Sequence, residues 1–284
     1  DRAHLDIEKG MFHLRAGQMY VGTFGTFAVD TQDSGLLLDI KAGDGNVPIT
    51  IYGIVDNDNG TTDGGADAFL FGGHVAPKFG EVSTKFIAAG YNDGNEEEVY
   101  LLGLSGSAML GPVNLFGEFD YFTGDHDDAA GIDAYGTQLF LDASMAATDA
   151  FTIGGQFYYA AGDDEDVQYT RLGNGFNGWD PIYDVGTSLS NEEITFPRPF
   201  DFTGMSAGVV GGRLYGSFKL SDALNLGASA AYVSEEEDEF VESDGYQLAA
   251  GLTYGILENT SIQLQLQYED MDYQEVGSAS EDYD

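Results

Sequence analysis

The sequence predicts an all-β chain, a transmembrane antiparallel β-barrel, on three observations. Apolar and polar residues alternate: Ile262, Leu264, Leu266 and Tyr268 interleave with Gln263, Gln265, Gln267 and Glu269. Successive side chains of a strand point to opposite faces, so this segment has one apolar and one polar face. Segments of about ten residues with the same beat recur along the whole chain, the length that spans a bilayer as a tilted strand. The connections alternate between short turns and long acidic loops, and an antiparallel membrane barrel puts the short turns at one rim and the long loops at the other.

Read by period two, strands are predicted at 3–9, 11–20, 34–42, 47–56, 67–76, 82–91 and 98–110. Further strands are predicted at 113–122, 134–146, 151–160, 206–220, 224–233, 244–255 and 261–270. Many have one clean face. Phe12, Leu14 and Ala16 oppose His13 and Arg15, and Leu36, Leu38 and Ile40 oppose Asp39 and Lys41. Val113, Leu115, Phe119 and Tyr121 oppose Asn114, Glu118 and Asp120, while Leu214, Phe218 and Leu220 oppose Arg213, Ser217 and Lys219. No comparable stretch repeats apolar residues at helical spacing. The apolar faces, with Leu36, Leu38, Ile40, Ile262, Leu264 and Leu266, are expected to meet lipid. Phe12, Tyr20, Tyr121, Phe122, Phe151, Tyr158, Tyr159, Tyr232, Tyr254 and Tyr268 are expected in aromatic girdles at the membrane boundaries.

Long connections are expected at 21–33, 57–66, 92–97, 123–133, 161–205, 234–243 and from 271 onward. The first strand then runs toward a short turn and the fourteenth toward a long loop. A closed barrel with both termini at the short-turn rim needs one more strand before Asp1 and one after Asp284. The expectation is a single barrel domain over 1–284, an internal part of a longer chain, with about 14 strands here and about 16 in the whole protein. Such a barrel leaves a water-filled lumen.

Composition narrows the functional classes. The 284 residues include 40 Gly, 19 Phe, 17 Tyr and no Cys, with 49 acidic against 10 basic residues and a net charge of −39. Without Cys there is no disulfide framework, thiolate metal site or covalently attached haem. So few basic residues leave no footprint for nucleic acid and no polybasic patch for anionic lipid. No apolar run reaches the roughly 18 residues of a spanning helix, and no basic-then-apolar signal segment opens the chain, so the sequence is expected to begin after any such peptide was removed.

The segment Phe12-His-Leu-Arg-Ala-Gly-Gln18, a Gly-rich loop, and Ser34-Gly-Leu-Leu-Leu-Asp-Ile40 resemble the paired strands of Gram-negative outer-membrane porins, general and alginate-export types. The resemblance implies a passive channel for small hydrophilic solutes or ions in the bacterial outer membrane. It implies contact with outer-membrane lipid and lipopolysaccharide, and a homotrimer. In such porins basic wall residues face acidic residues across a constriction. The matching wall positions here are Arg15, Lys41, Lys85, Arg213 and Lys219, with Glu118 and Asp120 as acidic partners. The longest loop, 161–205, comes late, whereas the constriction loop of such porins comes early.

Loop 161–205 carries Asp163, Asp164, Glu165, Asp166 and the single Trp179. It is too apolar around 172–179 for a solvated tail, so it either folds over or into the pore, forms an outer lid, or contacts a second protomer. Asp56, Asp58 and Asp63, and also Asp125 and Asp127, are oxygen-ligand candidates for calcium. The first set lacks the sixth-position Gly and twelfth-position Glu of an EF-hand, and a solvated charge run explains both sets as well. No cofactor is required. The four His form no metal pair at helical spacing, and no nucleophile elbow accompanies them, so no enzyme is expected. Three readings fit the sequence: a porin with a cation-favouring outer mouth, a barrel that sheathes a partner protein such as an electron carrier, and a soluble acidic β-protein of a halophile.

Overall fold

The computed structural model describes residues 3–21, 28–29, 31–43, 47–56, 68–94, 97–127, 130–162, 167–169, 172, 208–236, 243–257 and 260–273. These form one sheet. Its first eight strands are β1 (His4–Lys9), β2 (Phe12–Val21), β3 (Thr31–Ala42), β4 (Val47–Asp56), β5 (Ala68–Val75), β6 (Lys78–Phe79), β7 (Val82–Asn92) and β8 (Glu98–Leu110). The remainder are β9 (Val113–Asp127), β10 (Ile132–Thr148), β11 (Phe151–Ala160), β12 (Val167–Gln168), β13 (Val209–Lys219), β14 (Leu224–Ser234), β15 (Ser243–Leu257) and β16 (Thr260–Tyr273). Apart from the two-residue strands β6 and β12, each strand pairs with the next in chain order, without a crossover. Every pair is antiparallel except β10 with β12. This is the wall of a transmembrane antiparallel β-barrel, and β1 and β16 are its two edges among the described residues.

Alternation decides which side chain goes where. Along β8 the burial runs Val99 in, Tyr100 out, Leu101 in, Leu102 out. The outer face exposes Leu36, Phe71, Phe86, Leu104, Leu141, Leu214 and Leu266. A belt of exposed apolar side chains this wide is the mark of a surface that meets lipid. Tight turns close the opposite hairpin ends at Gly10, Gly80 and Gly111, each at φ near +60° (62°, 65° and 61°), where a side chain is disfavoured.

The structure departs from the expectations in two places. Residues 123–133 are not a long loop. The β9–β10 ladder continues to Asp127 and resumes at Ile132. The apolar beat stops at Phe122 because the hairpin rises into water there, where both faces are polar and alternation carries no signal. The girdle also loses two members. Tyr121 is 37% exposed on the outer face, but its neighbour Phe122 is 0% exposed, and Tyr158 is likewise 0%. Both turn inward, as their parity demands.

The inner face is filled in its outer half by an apolar cluster: Met19, Leu37, Tyr52, Ile54, Leu70, Ile87, Val99, Leu101, Phe122 and Ala134. Ala28 and Val29 from the β2–β3 connection and Leu172 from the connection after β12 complete it.

Candidate pore wall and constriction

Register assembles the inner wall. His13, Asp39, Thr50, His74, Ile87, Gly103, Asp120 and Gln138 stand opposite one another on successive strands from β2 to β10. A second row runs Lys85, Ser105, Glu118, Phe140 and Tyr158. A third runs Asp142, Gln156, Arg213, Ala231 and Gln247. One face of the sheet thus carries a belt of polar and ionisable groups around the wall.

The belt is held by short polar contacts. Arg15 Nη2 donates to Asp39 Oδ2 at 3.2 Å, and Thr50 Oγ1 donates to Asp39 Oδ1 at 2.6 Å. Gln138 Nε2 donates to Asp120 Oδ2 at 2.9 Å while its Oε1 accepts from the Tyr158 hydroxyl at 3.0 Å. Tyr215 donates to Asp142 Oδ2 at 3.0 Å, and the Arg213 guanidinium lies 5.3 Å from the Tyr215 ring centre. Glu118 and Asp120 are neighbours on one face of β9, both buried, with Lys85 facing Glu118. Gly103 makes the room, since a Cβ there would strike the Asp120 carboxylate. Buried charges persist only when paired or hydrogen-bonded, and this wall supplies such partners.

Five of the wall residues predicted from sequence, Arg15, Lys85, Glu118, Asp120 and Arg213, fall in this belt. Lys41 and Lys219 do not. Lys41 is exposed at the short-turn end and pairs with Glu8 at 3.3 Å. Lys219 pairs with Asp222 in the β13–β14 turn at 2.8 Å, which holds the Asp222 carboxyl below its usual range. Near β1, His4 and His13 both contact Asp6, at 2.9 and 2.7 Å.

At the other rim a strap crosses the mouth. After β11 the chain returns as β12 beside β10, and Tyr169 N donates to Tyr135 O. Gly136 lets it approach, because a Cβ there would collide with the Tyr169 carbonyl. The Tyr169 hydroxyl bridges His126 Nδ1 and Glu97 Oε1, each at 2.7 Å. Burial pushes the Glu97 carboxyl up, outweighing the Tyr169 hydrogen bond that lowers it, and burial likewise raises the Tyr169 hydroxyl. Leu172 N then donates to Ala28 O at 2.9 Å, and Leu172 bridges Val29. Two connections that leave the wall at β2 and β11 therefore meet over the apolar cluster and cover part of the lumen.

Sequence reasoning missed that cluster. Its signal is the loss of alternation: Leu36-Leu37-Leu38, Phe69-Leu70-Phe71 and Leu101-Leu102 are apolar on both faces, which marks strands buried on both sides. Of the calcium candidates, Asp58 and Asp63 and the Asp56 side chain lie outside the described residues. Asp127 Oδ1 accepts from Ala130 N at 2.9 Å and caps the β9–β10 turn. Among the described residues no three His, Asp or Glu side chains converge as a metal-holding group. Asp163, Asp164, Glu165, Asp166 and Trp179 lie outside the described residues.

No family model and no curated protein matches the chain. Solved structures do. OccAB4 of Acinetobacter baumannii superposes with a TM-score of 0.62 at 15% identity, over 96% of this chain and 70% of that one. OprD of Pseudomonas aeruginosa gives 0.61 at 13% identity, over 95% and 72%. A BenF-like porin from Pseudomonas fluorescens Pf-5 gives 0.60 at 11% identity, over 94% and 70%. The fold is that of the outer-membrane porins. In a porin fold the apolar outer face meets lipid and the inner face bounds the lumen, so the three cross-strand rows lie on the lumen side and the Tyr169 strap lies at its mouth.

Proposed function

We propose that this chain is a porin of the bacterial outer membrane that passes small hydrophilic solutes or ions by diffusion, with an outer mouth that favours cations. It acts as a channel, not an enzyme. The observation that carries the reading is the pairing of faces: a continuous polar belt on the inner wall of a barrel whose outer face is apolar. A water-filled or solute-filled lumen uses both. The cation preference rests on charge. A net charge of −39 with carboxylates concentrated in the long-loop connections gives the mouth a negative potential that gathers cations.

The reading includes contact with outer-membrane lipid and lipopolysaccharide, assembly as a homotrimer, and calcium held by outer-loop carboxylates among Asp56, Asp58, Asp63, Asp125 and Asp127. Heating in calcium against heating in chelator tests the last of these, and an unshifted melting point removes it. Planar-bilayer recording tests the channel. Stepwise KCl conductance is expected, with a reversal potential of cation-selective sign across a tenfold gradient. The preference should weaken above about 0.1 M salt, where the screening length is near 10 Å. Neutralising Asp163, Asp164, Glu165 and Asp166 should reduce it. Folded protein that never conducts would end the porin reading, and anion selectivity at low salt would end the cation preference.

A further inference from the structure

The carboxylates of the polar belt are largely covered, with Glu118 and Asp120 at 2% and 0% exposure. Nearer the short turns the inner face is open. There Glu8, Asp6 and His4 on β1 stand beside His13 and Arg15 on β2, and β3 adds Asp39 and Lys41. The side chains of His13, Asp6 and Asp39 keep 32%, 52% and 30% of their surface. An ion entering or leaving at this end meets them directly.

His13 lies between two carboxylates. Its Nε2 is 2.7 Å from Asp6 Oδ1, and its Nδ1 is 3.6 Å from Asp39 Oδ2. His4 approaches the same Asp6 carboxylate, with Nε2 2.9 Å from Oδ2. A neutral imidazole has one N–H and one lone pair, so one ring nitrogen of His13 then turns a lone pair on a carboxylate. The imidazolium has an N–H for each. Histidine is also the side chain that ordinarily changes charge between about pH 5 and 8, whereas carboxylates, guanidinium and ammonium groups ordinarily keep theirs. Around the two histidines Glu8 pairs with Lys41 at 3.3 Å and Asp39 with Arg15 at 3.2 Å, while His74, beyond Asp39 and Thr50 in the same row, is buried. With both imidazoles neutral, Asp6, Glu8 and Asp39 outnumber Arg15 and Lys41 by one charge. With both protonated, His4, His13, Arg15 and Lys41 outnumber the three carboxylates by one. The local field changes sign.

We propose that His4 and His13 set the ion preference of the lumen at its short-turn end, favouring cations when neutral and anions when protonated. The inference rests on the porin reading and adds to it a proton-controlled determinant, at the end opposite the acidic mouth. The test is the reversal potential of the full chain in a planar bilayer, with KCl at about 10 mM on one side and about 100 mM on the other. Screening lengths there are about 30 and 10 Å, so charges on the wall are felt. Recordings at about pH 7.5 and about pH 5.5 bracket the histidine range while ordinary carboxylates stay ionised. The cation-to-anion permeability ratio should fall several-fold at the lower pH. His4→Gln/His13→Gln should lose most of that dependence and keep the neutral-pH ratio. His4→Lys/His13→Lys should show the acid-pH ratio already at neutral pH. His74, His126 and Glu97 are unchanged in both variants, so a contribution from them is common to all three proteins. Heat-modifiable gel migration confirms that each variant is folded. A wild-type ratio that does not move with pH, or a folded Gln variant that keeps the wild-type dependence, would overturn the proposal while leaving the channel intact. Absence of any KCl conductance would take down the porin reading as well.

Discussion

Arg213 and Leu214 are consecutive in the chain, yet the first is 4% exposed and the second 70%. That difference comes from strand parity alone, and it sets what each substitution costs. Leu214 sits mid-strand on the apolar face, so Leu214→Arg should cost about 2–4 kcal/mol in a bilayer. Gln265→Arg, on the inner face, should cost little; urea unfolding in lipid vesicles measures both, and equal losses would refute the assignment of faces. Glu97 makes a pH prediction. Its carboxyl lies above its ordinary value of 4.5 because burial disfavours the charged form. A raised value in the folded state stabilises the strap while the group is protonated, fully so below 4.5, and that contribution is lost as pH rises through the shifted value. Proteolysis of the outer loops should therefore be slower at acid pH than at neutral pH. Glu97→Gln should flatten the dependence, and a variant with the wild-type pH profile would show that another group is responsible.

At the scale of the element, the strands were legible because lipid and lumen impose opposite demands on alternate residues. Segments such as Ile262–Tyr268 carry that demand without interruption. What stayed hidden obeys other rules. Thr123 to Asp127 continue β9 beyond the apolar belt, where neither face is apolar and the hydrophobic beat disappears. The strap at Val167, Tyr169 and Leu172 is placed by partners far away in sequence, Tyr135, His126, Glu97 and Ala28, and no local pattern announces such contacts. The belt was half legible. Parity found Arg15, Lys85, Glu118, Asp120 and Arg213, while it could not separate them from Lys41 and Lys219, which share the face but lie at its end. The strap carries its own prediction. Leu172 is buried against Val29 and the apolar cluster, so Leu172→Asp places an unpaired charge there and should release the strap. Single-channel conductance should then rise with the barrel still folded, and an unchanged conductance would mean that the strap does not narrow the path.

For the whole molecule, the porin fold reconciles two properties that conflict in a soluble protein, a broad exposed apolar belt and a net charge of −39. Lipid covers the first, and water at the mouth and in the lumen hydrates the second. One face of this sheet meets lipid and the other meets water within the same membrane. The chain has no Cys, so single cysteines can be placed in turn at 263, 264, 265, 266 and 267 and challenged in lipid vesicles with a water-soluble maleimide. Labelling should alternate, strong at 263, 265 and 267 and absent at 264 and 266. Uniform labelling at all five positions, or labelling in the opposite phase, would show that the two faces of the sheet do not divide between lipid and water in this way.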